Sequence, residues 1–369
     1  MFFWLKPHQR HRLGMSIFDA YRVGDLGSGL TNQLNIIITE LINAEVQYRP
    51  MVILGKFRAN YNTDSLVPLR DVIDLEDLQR QVGDKLRIYE EDSVQLEFVR
   101  AHYGDYADGS DVTSIVAANF WDSRTRSFHI LKGTSLNSVL GDPVPGRVKS
   151  LFLVFKVGDT LVHLEHGEII TEDIHHAITV VPSKYNRPNL LHEDRYNAYL
   201  STIKFHPSLH QRAQTILDNL SLSPTVNLIH IRNEPDALHF WGAINGIVPY
   251  AFGNTLNNLY ENLLKQHCDP KDDILVLTST PDNEVCKYLK NRGYRFHTSE
   301  KLEGQREINA IIDLLISRAC TGTFIGNVNP DTKRGSTFDN PVWKRLQKGV
   351  KCVFIDLDHI NEPVQTRVA

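Results

Sequence analysis

The chain has 369 residues, 41% of them hydrophobic and 23% charged, with 40 Lys and Arg against 44 Asp and Glu. That length suits about two domains of roughly 150 to 200 residues each, and the balance is that of a soluble globular protein. A net charge of -4 leaves no general basic face, which excludes a nucleic-acid or membrane-surface binder as the overall class and leaves only a local basic pocket open.

The opening MFFWLKPHQRHRLGM has too short an apolar run for a signal peptide or anchor. No later run approaches the roughly 20 residues that span a bilayer. The chain as written therefore reads as cytoplasmic, and an anchor upstream of it would place it in the secretory lumen. Cys268, Cys286, Cys320 and Cys352 have no CxxC spacing. They read as reduced packing residues, with two disulfides as the alternative.

In chain order, YRVGDLGSG leads into LTNQLNIIITELINA, where Leu34, Ile37, Ile38, Leu41 and Ile42 fall on one face of an amphipathic helix. MVIL reads as the next strand, and PLRDVIDLEDLQRQVGDKLRIY as a short helix and a further strand. The middle, about 90 to 195, is irregular, with strand-like SLFLVFKVG and AITVVP. A boundary falls near 195 to 205, which gives domains of 1–200 and 201–369.

The second half alternates more regularly. SLHQRAQTILDNL opens it as a helix and NLIHI reads as a strand. TLNNLYENLLKQ reads as a helix, ILVLT as a strand, and DNEVCKYLKNRG as a helix closed by Gly293. REINAIIDLLISRA is a helix, TFIGN a short strand, NPVWKRLQKG a helix with Pro341 in its first turn, and KCVFIDL a final strand. Such alternation predicts an α/β fold with parallel sheets covered by helices on both faces.

Three polar constellations interrupt this pattern. Arg232 follows NLIHI at a strand end and is trailed by Glu234, Asp236, His239 and Trp241. An arginine there can clamp a diphosphate, or it can pair with its own acidic neighbours. In the second, Ser336 and Thr337 precede the helix that carries Lys344 and Arg345. Hydroxyls and free amides at a helix start make an anion site, or a plain helix cap. The third is GSGLTNQLN, where Gly24, Gly27 and Gly29 precede a helix with Asn32 and Gln33 in its first turn. Its spacing is not the GxGxxG fingerprint, which argues against a dehydrogenase.

Taken in order, these stretches resemble the GDP-fucose-dependent fucosyltransferases, in particular the protein O-fucosyltransferase group and its plant-type relatives. The matching residues are GSGLTNQ; His230, Ile231, Arg232 and Asp236 with the following HFWG; and Asp313, Leu314, Phe324 to Asn327, Ser336 to Phe338 and Arg345. They cover about a fifth of the chain. Thr31 replaces a usual glycine, Ser279 stands where an acid is common, and the segment between FIGN and STF is long.

The resemblance implies a GT-B fold of two facing Rossmann-like domains, the first on the acceptor side and the second holding the nucleotide-sugar. It implies inverting, metal-independent transfer of fucose from GDP-fucose to a hydroxyl of a glycan or protein. Arg232 would hold the β-phosphate and the leaving oxygen. Asp25, Glu234 and Asp236 are candidate bases, and Asp236 is alternatively the structural partner of Arg232. Asn32, Gln33, His230, Asp313, Ser336, Thr337, Phe338 and Arg345 would line the donor site. The departures leave another donor open, such as UDP-rhamnose, and a non-catalytic carbohydrate-binding protein is the third reading. His163, His166, His175 and His176 lie among acids in HLEHGEIITEDIHH. No other motif converges on that stretch, and no metal site is expected there.

Overall fold

The computed structural model describes residues 19–23, 29–46, 51–60, 63, 65–83, 86–91, 94–105, 108–158, 160–182, 192–299, 301–332, 334–362 and 364–369. The chain is α/β, as its alternation predicts, and forms two compact units.

The units do not follow a single cut near residue 200. One gathers Met1–Asp25, Glu40–Gly55 and Gln79–Asn186; the other gathers Leu26–Thr39, Lys56–Leu78 and Arg187–Ala369. Two early segments thus pack with the C-terminal residues. Their anchors are specific. Both ends of the Gln33 side-chain amide bond the main chain of Arg58 at 2.9 and 3.0 Å. The main-chain amide of Asp74 donates to Lys204 at 2.9 Å. No local sequence pattern announces such long-range pairs.

The first unit contains a four-stranded parallel sheet in the order Thr179–Pro182, Asp19–Val23, Met51–Leu54, Arg87–Glu90. The stretch read as irregular is ordered here as antiparallel structure. Ser150–Val157 lies between Thr160–Gly167 and Leu96–Gly104, and Ser127–Ile130 pairs with Ile174–His176. Alternation supplies the reason: Leu151, Leu153, Phe155 and Val157 point into one apolar core with Tyr103, Phe128 and Ile170.

The second unit is built on six strands in the order Arg295–Thr298, Asp273–Leu277, Val226–His230, Thr323–Gly326, Lys351–Phe354, Gln365–Val368. All run parallel except the last, which is antiparallel to its neighbour. Counted from the first strand of this sheet, the chain builds outward to one edge, returns, and builds to the other. That is the doubly wound order, and its switch point falls between Val226–His230 and Thr323–Gly326. Every residue of these two strands is buried. Helices cover the sheet as expected, with Pro249–His267 burying Leu256, Leu263 and Leu264, and Arg306–Ile316 burying Ile311 and Ile312. All four cysteines are buried and free. Among the described residues, no helix is long and apolar enough to cross a membrane.

Candidate functional site

The carboxyl ends of Val226–His230 and Thr323–Gly326 lie side by side at the switch point, where open α/β sheets leave a crevice for ligands. The first strand delivers Arg232. The Ile231 amide still bonds Leu277 at 2.9 Å and extends the ladder; the next amide, that of Arg232, leaves it and donates to the Tyr260 hydroxyl at 3.0 Å. Pro235 then starts the helix Pro235–Ile244, and Glu234, the residue before it, is extended at φ -67 and ψ 153. This turn brings both following acids back onto the arginine. Arg232 Nη1 lies 2.5 Å from Glu234 Oε2, and Nη2 lies 3.2 Å from Asp236 Oδ2.

Burial opposes the charge on Arg232, but the two carboxylates outweigh it and hold its pKa above the ordinary arginine range. Burial likewise opposes ionisation of Glu234. The guanidinium and the Ser279 hydroxyl, which donates to Glu234 Oε1 at 2.7 Å, overcome it and keep that carboxyl below the usual range. Glu234 is therefore a held anion and a poor proton acceptor. Asp236 differs: its side chain is 57% exposed, against 22% for Arg232.

The second strand delivers Asn327, the hub of a buried polar network. Its Nδ2 donates to the main-chain oxygen of His230 at 2.7 Å, its Oδ1 accepts from Tyr260 at 2.6 Å, and its amide donates to Asp339 Oδ2 at 2.6 Å. Asp339 Oδ1 meets His230 Nδ1 at 2.7 Å, and the Phe338 ring lies 5.1 Å from that imidazole, centroid to centroid. Ser336 is buried, and its amide donates to the Asn327 oxygen at 2.7 Å. Gly335 precedes it at φ 116, where an added Cβ would fall 2.3 Å from that same oxygen, so no other residue fits. Thr337 is exposed and Phe338 half-buried.

The long segment after FIGN is closed on itself by a Val328–Gly335 bridge. It is pinned to the segment that follows the strand Lys351–Phe354 by Asn329 on Asp356 at 2.6 Å and by Arg334 on Asp358 at 3.0 Å.

Arg232, Asp236, His230, Ser336 and Phe338 are thus joined through Asn327, Asp339 and Tyr260, with Thr337 next in chain. Other expected donor contacts go elsewhere. Gln33 is buried, its amide bonded to Arg58, so it holds structure and does not line a site. Arg345 is buried too, and its guanidinium bonds the oxygens of Leu200 and Ile203 at 2.9 to 3.3 Å, satisfying carbonyls at the end of the helix Glu193–Thr202. Burial lowers its pKa to about 10. Asp313 is paired with Lys301 Nζ at 2.7 Å and with Ser299. The helix after Thr337, Asp339–Arg345, carries the buried Asp339 in its first turn and has no side-chain cap bond at its start. Asn32 is half-buried in the first turn of Leu30–Val46. Gly24, Asp25 and Gly27 lie outside the described residues.

The glycine-led helix has an unforeseen partner as well. Glu307, buried in Arg306–Ile316, accepts from the Leu30 amide at the start of Leu30–Val46. Burial raises the Glu307 pKa despite that bond. An acid whose pKa is raised in the folded state binds protons more tightly when folded. Its stabilising contribution is complete below the unfolded pKa and is lost as pH rises through the folded one. Glu307→Gln keeps an acceptor for the amide and removes the charge. It should stabilise the protein at pH 7, and the gain should shrink as pH falls below the unfolded carboxyl range, read as urea unfolding midpoints at the two pH values.

In the first unit, His166 and His176 face each other with Nε2 atoms 3.0 Å apart, and burial lowers their pKa values to about 4 and about 3. Among the described residues no group of three or more His, Cys, Asp or Glu could hold a metal ion.

The second unit is thus a doubly wound α/β sheet with a buried polar network at the strand ends of its switch point. No family model matches the chain, and no curated protein matches it. Among solved structures, it is similar to POFUT1 in complex with GDP, at 11% identity over 88% of this chain and 93% of that one, with a TM-score of 0.46. A further crystal form of that complex gives 9% identity over 92% and 99%, with a TM-score of 0.48. The fucosyltransferase NodZ from Bradyrhizobium gives 14% identity over 48% of this chain and a TM-score of 0.32; the chain spans about half of its length, 53%. These likenesses are remote.

Proposed function

We propose that the chain is a glycosyltransferase that moves fucose from GDP-fucose to a hydroxyl of a glycan or protein, with inversion at the sugar carbon and without a metal ion. The observation that carries this reading is Arg232, placed at the switch point of a doubly wound sheet with its main chain bonded to a buried network. The sequence resemblance, which runs through the same residues, supports it.

In the reaction, the acceptor oxygen bonds the anomeric carbon as the bond to the β-phosphate oxygen breaks. GDP leaves with the electron pair, and the acceptor proton passes to a base. Negative charge grows on the leaving diphosphate, so a guanidinium aimed there binds the transition state more tightly than the ground state. Arg232 takes that role and does the work a divalent cation does in other transferases. Asp236 orients Nη2 and, being exposed, is the better placed of the two loop acids to take a proton; Asp25 is the other candidate. Ser336, Thr337 and Phe338 line the nucleotide, with His230 fixed behind them, and Asn32 contacts donor or acceptor.

A second reading keeps the chemistry and changes the donor to another nucleotide-linked deoxysugar, such as UDP-rhamnose. The departures at Ser279, which bonds Glu234, and in the segment closed by the Val328–Gly335 bridge favour it.

A thermal-shift panel tests the two. A nucleotide at 100 times its Kd adds about 2.7 kcal/mol, a rise of a few degrees in Tm. GDP should raise the midpoint. A response to UDP with none to GDP selects the second reading, and no response to either rejects a nucleotide site.

A further inference from the structure

We propose that Tyr260 is a positioning residue of the diphosphate site, acting through the main chain of Arg232; this rests on the donor-site reading above. Tyr260 belongs to the helix Pro249–His267, and its ring is packed in the core with Ile229, Ile231, Phe252 and Leu256. Only its hydroxyl reaches the strand ends. It accepts the Arg232 amide at 3.0 Å and donates to Asn327 Oδ1 at 2.6 Å. One side-chain oxygen therefore links the residue beyond one strand of the switch point to the residue beyond the other.

The link matters because of where the other Arg232 contacts come from. Glu234 lies two residues further in the same turn, and Asp236 follows in the first turn of the helix Pro235–Ile244. They shape the side chain and do not touch the Arg232 main chain. The Tyr260 hydroxyl is the side-chain contact on the Arg232 main chain; further along, Thr280 bonds the Asn233 side chain and Ser279 bonds Glu234. Burial raises the phenol pKa, so the hydroxyl stays neutral and keeps the proton it donates to Asn327. Asn327 in turn holds His230 and Asp339, which makes the anchor rigid. A phosphate drawing the guanidinium away from its acids would leave this main-chain bond intact. A shift of about 1 Å at such a group costs far more in transition-state binding than in fold.

The test reads the β-phosphate contact directly, as the ratio of GDP to GMP affinity by calorimetry on the full chain, with UDP and UMP measured in parallel. Wild type should prefer the diphosphate, and Arg232→Ala should remove that preference. Tyr260→Phe should lower the preference about tenfold while leaving monophosphate affinity within twofold. An unchanged ratio in Tyr260→Phe, with Arg232→Ala still losing it, overturns the role of Tyr260 alone. Equal loss of both affinities marks Tyr260 as merely structural and overturns it too. A wild type without diphosphate preference in either series, or Arg232→Ala without effect, removes the donor-site reading and this inference with it. Should the Phe variant not fold, Asn327→Ala removes the acceptor that orients the hydroxyl and keeps the Asn327 amide on Asp339; the diphosphate preference should fall there too, and an unchanged ratio overturns the proposal.

Discussion

Arg232→Ala should lower kcat/KM for sugar transfer by about a hundredfold or more, equivalent to about 3 kcal/mol of transition-state stabilisation. The charge that the guanidinium meets exists fully only when the diphosphate departs, so kcat should fall more than KM rises. The site sharpens this expectation. Nη1 and Nη2 are held by Glu234 and Asp236 while the main chain is anchored on Tyr260, so the guanidinium can turn to a phosphate without its backbone moving. Arg232→Lys should recover little activity, because one ammonium cannot face two acids and a phosphate in the fork geometry of a guanidinium. The measurement is GDP release from GDP-fucose with and without acceptor. Equal release by wild type and Arg232→Ala would remove the catalytic role.

Asp339→Ala should destabilise the second unit by about 3 kcal/mol, with Asp339→Asn losing about 1 kcal/mol. Asp339 is fully buried and accepts from the Asn327 amide at 2.6 Å and meets His230 Nδ1 at 2.7 Å. Removing the carboxylate strands two polar groups where water does not reach, and each costs its desolvation. Asn keeps one acceptor oxygen and most of the shape. Urea unfolding followed by fluorescence reads both values, and a loss below about 1 kcal/mol for the alanine variant would contradict the account of the network as a buried, fully engaged unit. The variant should also release the ring of His230 from Phe338, since the carboxylate fixes the imidazole on the side facing that residue.

Much of the second unit was legible in the sequence. Leu256, Leu263 and Leu264, or Ile308, Ile311 and Ile312, repeat at helical spacing because one face of each helix meets the sheet. NLIHI and ILVLT are rich in apolar residues and buried throughout their strands because parallel strands are covered on both faces. The middle of the chain was less legible: Ser150–Val157 and its partners pair antiparallel across long separations. The candidate site divided the same way. Arg232 could be found because a charged residue follows an apolar strand at once. Tyr260 could not, since it occupies an ordinary core position of a leucine-rich helix and only its last atom is polar. Asn327 and Asp339 stood inside or beside a motif, FIGN and STF, with nothing to say that they bond each other. Arg345 and Gln33 carried the right chemistry for a ligand and turned out to bond main chain.

The order of hydrophobic and polar residues along the chain fixed the α/β class, most helices of the second unit and the strand that ends at Arg232, because those features depend on neighbours a few positions away. The partners of each polar side chain were decided only by the tertiary structure. A hydrogen bond depends on direction and on a few tenths of an ångström, and the residues that complete it, such as Tyr260 with Asn327 or Glu307 with Leu30, lie 67 and 277 positions apart.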